Sequence, residues 1–138
     1  MPNVIPGEAT FSFGIRDVTL YSLEGLVTAI MGEIEQVMAD RNLCVSSKKL
    51  SSTPPISLDQ SIVSLLAEIA QQNNVAAIQM SSGAVHDAAT IAQVIPTGMI
   101  FIHSMDGRSH CPEEFTKIED IAIGCNILAD AIRYLASN

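Results

Sequence analysis

Three histidines, His86, His103 and His110, are the side chains of this sequence best suited to hold a metal ion or move a proton. His110 falls in Asp106-Gly107-Arg108-Ser109-His110-Cys111-Pro112-Glu113-Glu114, a polar loop behind an apolar run. Imidazole is a common zinc ligand, and a neighbouring carboxylate such as Glu113 or Glu114 can orient the ring. The plainer reading is an exposed loop histidine, and spacing alone favours it. His86 falls in Ser82-Gly83-Ala84-Val85-His86-Asp87-Ala88-Ala89, a small-residue turn opening into a helix. Small residues let backbone approach a ligand, and helix-start N–H groups suit an anion or a carbonyl oxygen. A tight turn with His86 as its polar cap is an equal alternative. His103 ends the apolar run and reads as a buried, hydrogen-bonded core histidine. Arg16 closes an alternating segment on its polar face, where its planar fork suits a carboxylate or simply meets solvent. A zinc hydrolase needs about three protein ligands per metal. The sequence contains no H-x-D, H-E-x-x-H, cysteine cluster, G-x-S-x-G, P-loop or dinucleotide-binding glycine motif.

The elements that must position these residues follow from periodicity. Ala9, Phe11, Phe13 and Ile15 alternate with polar or small residues, the pattern of a strand over Ala9 to Arg16 with one buried face. Pro6-Gly7 is a turn signal ahead of it. Ser22 is the expected cap of a helix reaching about Arg41. Its stripe is Leu23, Leu26, Val27, Ile30, Ile34, Val37 and Met38. A short strand is expected over Leu43 to Lys49, and Ser51-Ser52-Thr53-Pro54-Pro55 then breaks the pattern and marks a domain boundary. Ser57 with Gln60 resembles a capping box for a helix with Leu58, Ile62, Leu65, Leu66 and Ile69 on its apolar face. Strands are expected over Val75 to Met80 and Gly98 to His103, the latter buried on both faces. Thr116 with Glu119 suggests a second capping box, opening a helix that buries Ile121, Cys125, Leu128, Ile132 and Leu135.

Each half reads as a piece of something larger. The first part gives only strand, helix, strand, half of a ferredoxin-like unit. Domains below about 40 to 60 residues bury too little surface to be comfortably stable alone. The second part offers helices and strands with no evident way to close a sheet.

Composition narrows the partners. The 138 residues are 48% hydrophobic and 16% charged, enough apolar material for a core. A net charge of -8 without a basic run argues against nucleic acid. No stretch approaches the ~18 to 20 apolar residues of a membrane span. The first residues, Met1 to Gly7, have neither the basic start nor the apolar core of a signal peptide. Cys44, Cys111 and Cys125 are odd in number and widely spaced, so reduced thiols and a cytoplasmic location are expected.

Two kinds of segment point further. Asn3-Val4-Ile5-Pro6-Gly7-Glu8, followed by a segment ending Ile15-Arg16, resembles the N-V-I-P-G-x…D-x-R stretch of the N-carbamoyl-L-amino-acid hydrolase and allantoate amidohydrolase family. This family belongs to the clan of aminoacylases and dinuclear-zinc exopeptidases. Ser82-Gly83-Ala84-Val85-His86-Asp87-Ala88 resembles its S-G-A-G-H-D-A motif. Thr97 to Ile102 and Gly107 to Thr116 are similar to its closing T-G-M-I-F-V…G-G-I-S-H-N-P-E-E. Four positions depart from the pattern: Gly14 replaces an acidic residue, Val85 and Asp106 replace glycines, and Arg108 replaces an apolar residue.

The resemblance implies an α/β (α+β) chain in two parts: residues 1–53 as the second half of a lid and dimerisation domain (βαβ), and 56–138 as the C-terminal part of a zinc-exopeptidase-like catalytic domain. It implies His110 as one ligand of a metal pair (zinc, or manganese or cobalt). Asn3, Arg16, Gly83 and His86 are implied as substrate-binding, with Asn3 and Arg16 reaching a partner subunit's site across a homodimer. The implied substrate is a small carbamoyl or ureido compound (an N-carbamoyl-L-amino acid, β-ureidopropionate or allantoate). The family's other metal ligands and its general-base glutamate fall upstream of the part resembled here. The isolated chain is therefore expected to be a C-terminal fragment without activity. A non-catalytic oligomerising or binding remnant is the alternative, and an unrelated small α/β binding domain the third.

Overall fold

Thr19 and Asp59, rather than the serines nearest to them in the sequence patterns, start the first two helices of the computed structural model, which describes residues 3–137. Four α-helices are present among them: α1 (Leu20–Arg41), α2 (Gln60–Gln72), α3 (Asp87–Ile91) and α4 (Ile118–Ala136). The chain divides into two compact units, Met1–Pro55 and Ile56–Asn138.

In the first unit, the Thr19 hydroxyl accepts from the Ser22 amide at 3.2 Å, so the helix begins before Ser22. The Ser22 hydroxyl instead donates to Asp17 at 2.8 Å. That carboxylate also accepts from the amides of Val18 at 2.6 Å and Thr19 at 3.3 Å. The far end of α1 is closed by Asn42 in the left-handed region, φ 49. There the Leu43 amide reaches the Met38 carbonyl at 3.0 Å. Asparagine tolerates this conformation better than most residues, which is why R-N-L ends the helix without a glycine. The stripe of α1 is only partly covered: Leu23, Ile30, Ile34 and Met38 are half-buried, while Leu26, Val27 and Val37 are exposed.

In the second unit, the Asp59 carboxylate accepts from the amides of Ser61 at 2.9 Å and Ile62 at 3.1 Å, and also bonds the Ser61 hydroxyl. A carboxylate at the cap takes two orphan N–H groups and carries the charge that a helix start favours. Ser57 therefore lies outside the helix. Asn74, φ 56, ends α2 with the Val75 amide on the Ala70 carbonyl at 2.8 Å, which folds Val75 back onto the core. That core is Ile69 and Ala70 of α2 against Ile127 and Ala131 of α4, with Leu65, Leu66, Val75 and Ile100 packed around it. Asp130 joins the two helices, accepting from Asn73 at 3.1 Å and from Arg133 at 2.8 Å.

The expected face of α4 is displaced. Gly124, Ile127 and Ala131 are its buried residues, whereas Leu128 is 50% and Ile132 57% exposed, with Ile121, Cys125 and Leu135 exposed beside them. The helix has two apolar faces, and the one carrying Ile127 and Ala131 meets α2. Nor does Thr116 cap it: the helix begins behind Lys117, one residue further on, with no side-chain cap.

The four segments read as strands, residues 9–16, 43–49, 75–80 and 98–103, form no β-ladder among the described residues. A helix closes its hydrogen bonds within its own segment, but a strand does so only against another strand. Phe11 and Phe13, expected on a buried face, instead stack on each other with centroids 5.9 Å apart and remain exposed. The segment 97–100 packs on α2 nevertheless: the Thr97 carbonyl accepts from the Asp59 amide at 3.0 Å, and Gly98 lies against Ile62 and Leu66.

Candidate functional site

Asn3 and Arg16 belong to the first unit, and Gly83, His86 and His110 to the second. Arg16 is exposed at the end of its segment, immediately before the Asp17–Thr19–Ser22 network. The start of α1 therefore anchors the backbone next to it. The hydrogen bonds of Ser22, Thr19 and Val18 hold the Asp17 carboxyl below the usual carboxylate range. Asn3 is exposed in a turn.

His86 stands at the start of α3 and caps it with no side-chain bond. Its Nε2 lies 2.7 Å from the Ser82 Oγ, and its ring meets Phe101 edge-on with centroids 5.3 Å apart. The ring is half-buried in this contact. Ser82 is in turn held by the Ala84 amide, which donates to Oγ at 3.1 Å. A serine four positions before the histidine was the available sequence signal for this pair. A Cβ added at Gly83 would meet nothing within 4 Å. Val85, in place of the family's glycine, is accommodated at the surface.

The loop carrying His110 turns on three left-handed residues: Asp106 at φ 56, Gly107 at φ 64 and His110 at φ 58. Its ends are tied where the Met105 amide donates to the Phe115 carbonyl at 2.8 Å. Inside it, the Ser104 hydroxyl donates to the Arg108 carbonyl at 2.6 Å, and Asp106 faces Arg108 at 3.8 Å. The His110 amide donates to the Glu114 carboxylate at 2.9 Å. Glu114 thus ties the backbone of His110 in the left-handed region, uncommon for a residue other than glycine. His103 is not the expected core residue. Its side chain is 72% exposed and lies 3.7 Å from Asp120, because the segment is covered on its α2 and α4 side only.

Among the described residues, no group of three or more histidine, cysteine, aspartate or glutamate side chains is placed to hold a metal ion. His110 alone does not fit a metal pair, since about three protein donors are needed for each metal. Two open depressions lie along Tyr21 to Thr28 and between Ser57, Asp59 and residues 92–97. Neither is lined by any of the five candidate residues. No helix of the described residues is long and apolar enough to cross a membrane. The cysteines are unpaired.

Comparison with known proteins decides the family. The sequence matches Peptidase family M20/M25/M40 over residues 6–134. The chain belongs to that family. It is 30% identical to the N-carbamoyl-L-amino acid amidohydrolase of Geobacillus stearothermophilus over 97% of the chain and 33% of the relative. It is 31% identical to the allantoate amidohydrolase of Escherichia coli over the same shares, 97% and 33%. The crystal structure of AtUAH in complex with glyoxylate superposes with a TM-score of 0.71 at 30% identity, covering 84% of this chain and 28% of that one. These matches carry the motif resemblance beyond isolated segments: this M20 chain is related along nearly its whole length to amidohydrolases of N-carbamoyl amino acids and allantoate. It spans about a third of the length of the relatives it matches.

Proposed function

We propose that the chain is the C-terminal part of a metal-dependent amidohydrolase that cleaves the C–N bond of a linear carbamoyl or ureido group. The supporting observation is the alignment of 97% of the chain with one third of the named amidohydrolases, with the histidine motifs in the family's order. In this reading residues 1–53 are the second half of a ferredoxin-like lid and 56–138 the C-terminal part of the catalytic domain. Arg16, with Asn3, binds the substrate carboxylate through its planar fork. Gly83 and His86 share one turn and contribute to the same substrate pocket. His110 adds one imidazole to a metal site whose other donors lie in upstream sequence, held there by Glu114 and the tied loop. The open apolar face of α4 is where that upstream part packs.

Co-expression with a polypeptide equivalent to the upstream two-thirds of the Geobacillus relative tests this. With a divalent metal present, the pair is expected to hydrolyse an N-carbamoyl-L-amino acid, and His110→Ala is expected to abolish the activity. The 138-residue chain by itself is expected to turn over nothing. Turnover by the pure chain that His110→Ala removes would overturn the fragment reading.

A second reading is a non-catalytic module that self-associates. It is favoured by the open stripe of α1, a helix in which no residue is buried. Reconstitution separates the two, because a homodimer seen by light scattering that gains no activity with the upstream part supports the module.

A further inference from the structure

We infer that Ser82 is a positioning residue for His86: its hydroxyl donates to Nε2 and holds the imidazole as the Nδ1–H tautomer. The local hydrogen-bond inventory carries this. A serine hydroxyl has one hydrogen and two lone pairs. The Ala84 amide occupies one lone pair at 3.1 Å. The hydrogen has two acceptors within range, His86 Nε2 at 2.7 Å and the Ala84 carbonyl at 3.4 Å. The longer contact lies outside the range of good O–H hydrogen bonds, and 2.7 Å is shorter than the ~2.9 to 3.0 Å usual when a nitrogen donates. Of these two, the 2.7 Å contact has the length usual for a hydroxyl donor, and the hydrogen is assigned to Nε2.

A neutral imidazole that accepts at Nε2 keeps its proton on Nδ1. Nδ1–H is then the donor the ring has to offer. Phe101, edge-on to the ring, limits its rotation on a second side. Given the reading of His86 as a pocket residue, Nδ1–H is the group presented to a carbamoyl or ureido oxygen. Ser82 decides that the ring donates there and does not accept.

Long-range proton–nitrogen NMR spectra of the nitrogen-labelled chain test this at about pH 8.5, where an ordinary imidazole is neutral. The wild type is expected to show His86 protonated at Nδ1 and bare at Nε2. Ser82→Ala is expected to move it to the Nε2–H form or a mixture of both. Ser82→Thr, which keeps the hydroxyl, is expected to restore the wild-type pattern. An Nε2–H wild type, or a tautomer unchanged by Ser82→Ala, would overturn the positioning role. In the enzyme reconstituted with the upstream polypeptide, Ser82→Ala is expected to lower kcat/KM up to about tenfold, the size of one hydrogen bond. If His86→Ala left kcat/KM untouched, the pocket reading would fail, while the spectra would still decide the role of Ser82.

Discussion

Gly124 of α4 faces Ile102 so closely that a Cβ added to the glycine would lie 2.5 Å from the isoleucine Cγ2. Helix propensity and packing oppose each other here. Alanine is preferred over glycine in a helix by about 1 kcal/mol. Overpacking costs typically 1–3 kcal/mol, and isoleucine is stiff about χ1, so roughly that cost applies here. Packing is expected to win. Gly124→Ala should lower the thermal midpoint, and adding Ile102→Ala should recover part of the loss. Additive effects in that double-mutant cycle would show that the contact is not the cause.

Gly98 meets α2 in the same way, with a Cβ clashing with Ile62 and lying 3.1 Å from Leu66. Gly98→Ala is expected to cost about 1–3 kcal/mol by the same overpacking. Hydrogen exchange should locate the loss: the amides of α2 should exchange faster and those of α1 should not.

Asp106 holds a left-handed conformation, φ 56 and ψ 15, at a position where the family pattern has glycine. That conformation costs most residues roughly 1–2 kcal/mol, somewhat less for aspartate. The exposed pair with Arg108 returns little. Asp106→Gly is therefore expected to stabilise the second unit by up to about 1 kcal/mol. Denaturant unfolding reads this directly, and an unchanged or lower midpoint would mean that the Arg108 contact outweighs the strain.

Asp59, the cap of α2, and Asp17, beside the Thr19 cap of α1, make stability depend on acid. Hydrogen bonds to the Ser61 hydroxyl and the Ile62 amide lower Asp59, and the Ser22 hydroxyl and the amides of Thr19 and Val18 lower Asp17. A folded-state value below the unfolded one adds stability that is present above about pH 4 and lost as the pH falls through the folded value. Helicity followed by circular dichroism should accordingly decline below about pH 4. Asp59→Asn, which still caps, should decline less steeply over that window. Parallel titrations of the two proteins would remove Asp59 from the explanation.

The open face of α4 predicts association. Leu128 and Ile132 are at least half exposed on one side of the helix. Replacing both by glutamate should leave the α2–α4 core intact, because neither side chain belongs to it. Self-association measured by light scattering should fall, and so should capture of the upstream polypeptide. Unchanged association would place the contact surface elsewhere.

Local chemistry made the helices legible. The 3.6-residue stripes of α1 and α2 are sequence features, because a helix is built from interactions within a few residues of itself, whereas the left-handed endings at Asn42 and Asn74 emerged only from the structure. The motifs around His86 and His110 were legible for the same reason, since their residues are contiguous. Cap choice was harder: Thr19 and Asp59 lie within a few residues of plausible serines, and only the geometry selects between them.

What the tertiary structure decided is how surfaces pair. The sequence by itself determined that α4 is apolar, but two stripes satisfy that pattern, and only the packing puts Ile127 and Ala131 on α2 while Gly124 takes Ile102. Likewise the alternation of Phe11 and Phe13 marks a strand-like segment, yet pairing depends on a partner that no local pattern names. The hydrogen bond between Ser82 and His86 depends on how the turn folds, so spacing alone left His86 open between cap and ligand. Side-chain type and period are properties of the chain, whereas a buried face or an oriented imidazole is a property of whatever packs beside it.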